Sequence, residues 1–434
     1  MISTYPYHLT IISAALVAVQ CVILVYWGML ATSRARELLT TYFNPVNWLA
    51  GFYTLWFLLP QIVSLFPKHH LLGFEQLTAG ERLEITVSAQ LRIIAFLLIV
   101  VQGYIATLPF LEHARGAGRR PAARTWLDLD WLGGSYVITC FVVGIIAISL
   151  LGKELVASEG MRSQLVKTPT GKILTIAGFY GNFAFAFLFS RLVVGRRYVA
   201  AIAVLTIFAT AVFLTGARGR LMWAMVIATI FITLYKDAIA VRRFAMLGVI
   251  LFAFLLLADA GLKAVRTGDV HELFSSFDAN GPFMQLFLKR NFDGFANFAF
   301  ISHYDAVRHQ PAILIEGGRD AFMNFYYPEV YASGVGFGVT YPGMFWLAGG
   351  FPAMLAMGFV FGGVIGLISL LLHQIEDERM IWAYLFAMTW FCAIGGNFQE
   401  SFDKMCTAAS PPLLWLALDL ALRPVSRTEF RTAV

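Results

Sequence analysis

Apolar residues along this chain fall in long unbroken runs closed off by short charged breaks. They show neither the alternation of a strand nor the one-sided stripe of a soluble helix. Runs of about twenty apolar residues match a hydrocarbon layer about 30 Å thick. Eleven candidate spans are delimited in this way, near 9–31, 47–66, 86–108, 131–151, 173–194, 198–217, 221–240, 244–262, 345–372, 380–397 and 406–422. The pattern predicts an all-α polytopic membrane protein. It divides into residues 1–262 with spans one to eight, a long loop at 263–344, and residues 345–434 with three spans and a tail.

Composition narrows this further. The 434 residues are 59% hydrophobic and 13% charged. A soluble domain carries roughly 25% charged residues, so this chain cannot cover the surface of a water-soluble globule. A soluble enzyme and a disordered chain are both excluded, and the missing alternation argues against an outer-membrane barrel. The net charge of +6 then belongs at a membrane face beside anionic head groups, not on nucleic acid. Cys21, Cys140, Cys392 and Cys406 all lie in or beside apolar runs and read as small core residues. The first run is too long, and lacks the basic flank, for a cleavable signal peptide.

Loop arginines and lysines set the orientation. With the N-terminus outside, fifteen basic residues face in: Arg34, Arg36, Arg115, Arg119, Arg120, Arg124, Arg196, Arg197, Lys236, Arg242, Arg243, Arg379, Arg423, Arg427 and Arg431. The outer short loops hold nine. The expected arrangement is N-out and C-in, with the loop 263–344 outside. Phe283, Phe287, Phe292, Phe295, Phe298 and Phe300 in that loop are spaced as in amphipathic helices lying on a membrane or on the bundle.

Ionisable residues within spans are costly and mark functional sites. On this topology they gather outside. Arg92 lies in the third span, and Arg218 and Arg220 occupy the tight turn Leu-Thr-Gly-Ala-Arg-Gly-Arg between spans six and seven. Asp259 lies at the outer end of span eight, followed by Lys263 and Arg266, and Glu400, Asp403 and Lys404 end span ten. Two arginines separated by one glycine can direct both guanidinium forks at one anion. A topogenic hairpin with snorkelling arginines is the plainer reading. Arg290, Asp293 and Asn297 share one helix face, as a site or as a surface ion pair. His271, His303 and His309 are candidate bases, and Tyr326, Tyr327, Glu329 and Tyr331 are a sugar platform or an interfacial aromatic belt.

Other signals carry less chemistry. Asp128 and Asp130 form a DxD in the arginine-rich inner loop, where interface residues are expected. Gly358, Gly362 and Gly366 predict close helix packing, and Asp419 in the last span calls for a partner on a neighbouring helix. No nucleotide loop, dinucleotide fingerprint or zinc motif occurs.

The many spans, the Leu214–Arg220 turn, the late long loop, its Gly/Tyr-rich exit at 334–350 and Asn44-Pro45 before span two resemble the O-antigen polymerase and oligosaccharide repeat-unit polymerase group (Wzy-type). That resemblance implies a glycosyltransferase C-like fold in the bacterial inner membrane, with a periplasmic N-terminus and a cytoplasmic C-terminus. It implies polymerisation of undecaprenyl-diphosphate-linked oligosaccharides without metal or other cofactor. Membrane lipids and a chain-length regulator are the further partners. The family's arginines map onto Arg218, Arg220 and Arg290, and His303 is the best-placed candidate for the histidine that the related O-antigen ligases use; Asp293 is a further candidate for the base. Substrate contacts are expected at Arg92, Arg266, Tyr326, Glu329, Tyr331 and Glu400. The alternatives are ligase-type transfer to another acceptor or, in a different class, a transporter or flippase, for which inverted repeats are expected.

Overall fold

A computed structural model describes residues 7–33, 44–65, 77–110, 131–155, 168–214, 218–235, 294–304, 340–375, 377–392 and 398–422. All of its elements are helical: α1 (Tyr7–Ser33), α2 (Pro45–Tyr53), a π-helical turn (Thr54–Leu58), α3 (Leu59–Ser64), α4 (Ala79–Ala106), α5 (Trp131–Leu155), α6 (Pro169–Val194), α7 (Tyr198–Leu214), α8 (Arg218–Tyr235), α9 (Gly294–Tyr304), α10 (Tyr341–Gln374), α11 (Glu378–Cys392) and α12 (Phe398–Leu422). Among the described residues, six helices are long and apolar enough to cross a membrane: Tyr7–Ser33, Ala79–Phe110, Trp131–Leu151, Pro169–Val194, Tyr341–Leu372 and Asp403–Leu422. The eighth expected span, 244–262, lies outside the described residues.

Contacts between helices fix which ends share a face. Gln90 of α4 donates to the Ser13 carbonyl of α1, and Trp27 packs edge-on to Tyr104, so α1 and α4 run parallel. The rod formed by α2, the π turn and α3 runs the other way, with Gln61 against Gln20 and Asn47 facing Gly28. α10 follows α4 in parallel. A methyl on Gly362 would lie 2.0 Å from the Val100 carbonyl oxygen, one on Gly358 3.0 Å from the Phe96 ring, and one on Gly366 1.8 Å from the Thr107 hydroxyl. These three glycines therefore bring two backbones together as the sequence predicts. α5 and α6 make a second close pair, crossing where Gly144 meets Gly181. The face where α1 begins is called here the N face, and the face where α12 ends the C face.

The C-face half holds a dense aromatic core. Trp382 of α11 stacks on Phe231 at 3.4 Å and meets Phe187 at 5.3 Å, while Trp415 meets Phe187 edge-on at 5.3 Å. The expected partner of Asp419 is Arg379, the second residue of α11, at 2.5 Å. At the same face Asn44 caps α2 through its side chain and accepts from Ser369 of α10. Cys140 is buried as expected, whereas Cys406 is exposed on the outer wall.

The π turn has a local use. A π turn closes i to i+5, here the Leu59 N–H onto the Thr54 carbonyl, and so re-aims the residues after it. It leaves Tyr53 and Gln61 facing α1 together. Tyr53 donates to the Gln20 amide at 2.7 Å, and the Gln20 and Gln61 amides pair at 2.8 Å. Gln90 donates to Gln61 at 3.1 Å. Four polar side chains from four helices thus pair in an apolar bundle, with only the Gln90 amide oxygen left without a partner, a network that the sequence reading missed.

Candidate functional site

The site is built where helices stop short. α10 is not one continuous rod. Gly349 and Gly350 leave the helical region, and Gly350 sits at φ 68°, ψ −157°, a conformation open to glycine. The first piece, 341–348, folds back along the second. Tyr341 packs against Phe361 with the rings tilted and centroids 4.7 Å apart, and donates to the Phe391 carbonyl at 2.8 Å. A straight helix would separate Tyr341 and Phe361 by about 30 Å. The first piece, called α10a, therefore begins deep in the bundle and climbs to the N face. The second piece, from residue 351, descends.

α9 lies beside α10a and climbs the same way. Its first residue, Gly294, faces Thr340 and Trp56, and one turn later Phe298 meets Trp346 edge-on at 6.3 Å. Near its end, the Ser302 carbonyl accepts from Arg92 of α4. Phe295 and Phe298 are fully buried, so α9 is enclosed by protein and does not lie on a membrane surface. Irregular backbone and short helices at membrane depth are tolerated only in such surroundings.

α8 begins at a similar depth. Its Trp223 stacks on Phe52 at 4.8 Å, and its Ala228 carbonyl accepts from Ser190 of α6. Counting back ten residues from Ala228 at 1.5 Å each puts Arg218 about 15 Å nearer the N face than Ser190, level with Tyr180 in mid-α6. Counting back from Trp223 puts it about 7.5 Å beyond Phe52, level with residue 57 of the π turn. The start of α8 therefore lies part-way down the bundle and not at the outer rim, in keeping with the short α7 and α8: 17 and 18 residues, against 26 in α6. Three helix starts, those of α8, α9 and α10a, thus stand at one depth around the π turn.

Each N-terminus leaves unpaired N–H groups and a positive dipole end. No acidic residue occurs in the first turn of α8 or of α10, and α8 adds two arginines of its own. Thr340 stands in the capping position of α10a but makes no capping bond, and its hydroxyl is buried without a partner. The arrangement gathers helix N-termini at one depth of the bundle, and what it can do chemically is hold an anion.

The remaining expected residues divide as follows. Arg92 donates to Ser302, and its guanidinium lies 4.7 Å from the centroid of the Trp346 ring. It therefore braces α9 against α10a. His303 follows Ser302 and is exposed. Glu400 is the third residue of α12, at the N-face end of that helix. Arg290, Asp293, Arg266, Tyr326, Glu329 and Tyr331, with His271, His309, Asp128 and Asp130, lie outside the described residues. No cluster of three metal-ligating side chains occurs among the described residues. Thr340, the Gly349-Gly350 break and the inward start of α9 had no place in the sequence reading. The one available signal was Gly349-Gly350 with Pro352 close behind.

No family model matches this chain, no curated protein matches it, and no solved structure matches its fold.

Proposed function

We propose that the protein is a glycosyltransferase of the bacterial inner membrane that polymerises undecaprenyl-diphosphate-linked oligosaccharide repeat units, with the N face periplasmic and the C face cytoplasmic. The observation that carries this reading is that three helix starts stand at one depth of the bundle, with Arg218 and Arg220 on one of them. Arginines on the positive end of a helix, far from either face, repel one another and the dipole unless an anion joins them. A lipid-linked diphosphate is an anion delivered at membrane depth.

The chemistry follows from that charge. The acceptor hydroxyl oxygen attacks the anomeric carbon of the donor sugar, and the bond from that carbon to the diphosphate oxygen breaks. The hydroxyl proton passes to a base, for which His303 and Asp293 are the candidates. Undecaprenyl diphosphate leaves with its new charge held by Arg218, Arg220 and Arg290. Arg92 acts through α9, by fixing the end of the helix that presents His303.

The test is polymerisation by the purified full chain on a lipid-linked repeat unit. Long polymer should form and should persist in excess chelator. Activity that vanishes in chelator and returns with magnesium would defeat the metal-independent mechanism. In cells, loss of the protein should leave single repeat units on the lipid carrier. Transfer of finished chains to a different acceptor would point to the ligase-type alternative.

One observation favours a second class. Half-helices that begin at mid-depth are also how secondary transporters hold anionic substrates, and α9 and α10a have that form. A flippase would move the lipid-linked unit across vesicles without lengthening it, and the same purified protein distinguishes the two.

A further inference from the structure

α9 and α10a do more than begin at the same depth: they begin against each other. A methyl built on Gly294 would lie 2.8 Å from Cγ2 of Thr340 and 3.2 Å from the Trp56 carbonyl oxygen. The Thr340 side chain therefore stands at the mouth of both helices. The helices then climb in parallel, so their dipoles point the same way and their positive ends coincide. Parallel neighbours with coincident N-termini repel one another, and the N–H groups of both first turns need acceptors.

Thr340 supplies the second observation. It is 1% exposed, and its backbone is extended at φ −75°, ψ 163°, as capping residues are. A threonine there ordinarily accepts a hydrogen bond from the second or third N–H of the helix. Two other starts in this protein do so: Thr78 accepts from the Glu81 N–H, and Thr168 from the Gly171 N–H. The Thr340 hydroxyl makes no such bond and has no other partner. A buried hydroxyl without a partner is costly to retain, and here it stands at the start of α10a, whose first turn it does not cap.

We propose that the shared start of α9 and α10a is a phosphate-binding site, in which the Thr340 hydroxyl donates to a phosphate oxygen that also accepts from first-turn N–H groups of both helices. In the setting of the proposed function, on which this assignment of the ligand rests, the group is a phosphate of the lipid-linked diphosphate. A free phosphate or pyrophosphate offers the same chemistry.

The experiment measures binding of undecaprenyl diphosphate, and separately of inorganic pyrophosphate, to the purified full chain by calorimetry in detergent. Thr340→Val keeps the shape and removes the donor. It should weaken binding about tenfold, while the melting temperature without ligand stays level or rises. Thr340→Ser should bind as the natural chain does. Gly294→Ala, which crowds the same spot, is the second variant should Thr340→Val fail to fold, and it too should bind weakly. Equal affinity in Thr340→Val and the natural chain, with a raised melting temperature, would make the hydroxyl an uncompensated buried group and overturn the site. Thr340-dependent binding of pyrophosphate but not of undecaprenyl diphosphate would uphold the site and count against the lipid-linked reading. Normal polymer from a Thr340→Val chain with unchanged affinity would overturn the site and leave the glycosyltransferase reading standing.

Discussion

The starts of α8 and α11 both carry arginines, and they are handled in opposite ways. α11 begins at the C face with Arg379 in its first turn. Asp377 caps that helix, accepting the Arg379 backbone N–H at 2.8 Å, and pairs with the Arg379 guanidinium at 2.7 Å. Asp419 of α12 holds the other side of the guanidinium at 2.5 Å. Cation and dipole are thus both answered within the chain. α8 begins part-way down the bundle with Arg218 and Arg220, no acid in its first turn, and the uncharged Thr215-Gly216-Ala217 before it. The same side chain is structural in the first place and, in our reading, waits for an anion in the second. What distinguishes the two starts is where the counter-charge comes from.

The comparison breaks most sharply at Arg379. Asp419 is 2% exposed, so Arg379→Met strands a buried carboxylate and should cost about 3–5 kcal/mol. Chemical unfolding in detergent should show this, and a second change, Asp419→Asn, should recover much of it. If Arg379→Met unfolds at the natural midpoint, the clasp is ornamental.

Arg218 and Arg220 should respond in the other currency. Alanine at either should cut polymerisation by two to three decades, about 3–4 kcal/mol in the barrier, and leave unfolding unchanged. Lysine should restore only part, because a point charge does not reproduce the bidentate fork. Alanine variants that polymerise normally would make the turn topogenic and remove the contrast with α11. Variants that lose activity and stability together would make this start a structural one, like that of α11.

Gly350→Ala tests whether the fold-back matters to the site. Its φ of 68° with ψ near −157° is a region essentially confined to glycine, so a side chain there should cost about 1–3 kcal/mol. The hairpin should loosen locally, with faster hydrogen exchange over 341–348. Uniform exchange along α10 would argue against α10a as a separate unit.

These unequal outcomes match what the sequence let one read. The apolar runs placed helices where the described spans lie, because bilayer thickness constrains run length directly, but α4 and α12 begin seven and eight residues before the expected 86 and 406. The glycines at 358, 362 and 366 and the need of Asp419 for a partner were equally legible, since both are local requirements. The fold-back was not: the run 345–372 is apolar throughout, and hydropathy cannot tell a span from a hairpin of the same composition. The place of α9 was left open between a membrane surface and the bundle for a related reason. Its phenylalanines suit a membrane surface and a protein interior alike, and only tertiary packing decides. The depth of the Arg218 turn was hidden because charge is read as surface by default. The glutamine network joins residues 20, 61 and 90, whose meeting depends on a π turn that has no pattern of its own.

The smallest effect expected concerns Asp377. Partial burial pushes its carboxyl up, but hydrogen bonds from the Arg379 side chain and backbone, and the guanidinium charge, outweigh this and leave it below its ordinary value. Because the folded value is depressed, the carboxylate contributes its full share above the ordinary aspartate pKa of about 3.9. That share disappears as pH falls through the lower folded value. Asp377 is partly open to solvent, so the contribution should be about half a kcal/mol, as for exposed pairs. Unfolding midpoints measured from pH 6 down to pH 3 should fall less steeply for Asp377→Asn than for the natural chain. Parallel slopes would mean that Asp419 alone neutralises the start of α11, and the comparison with α8 would then rest on one aspartate instead of two.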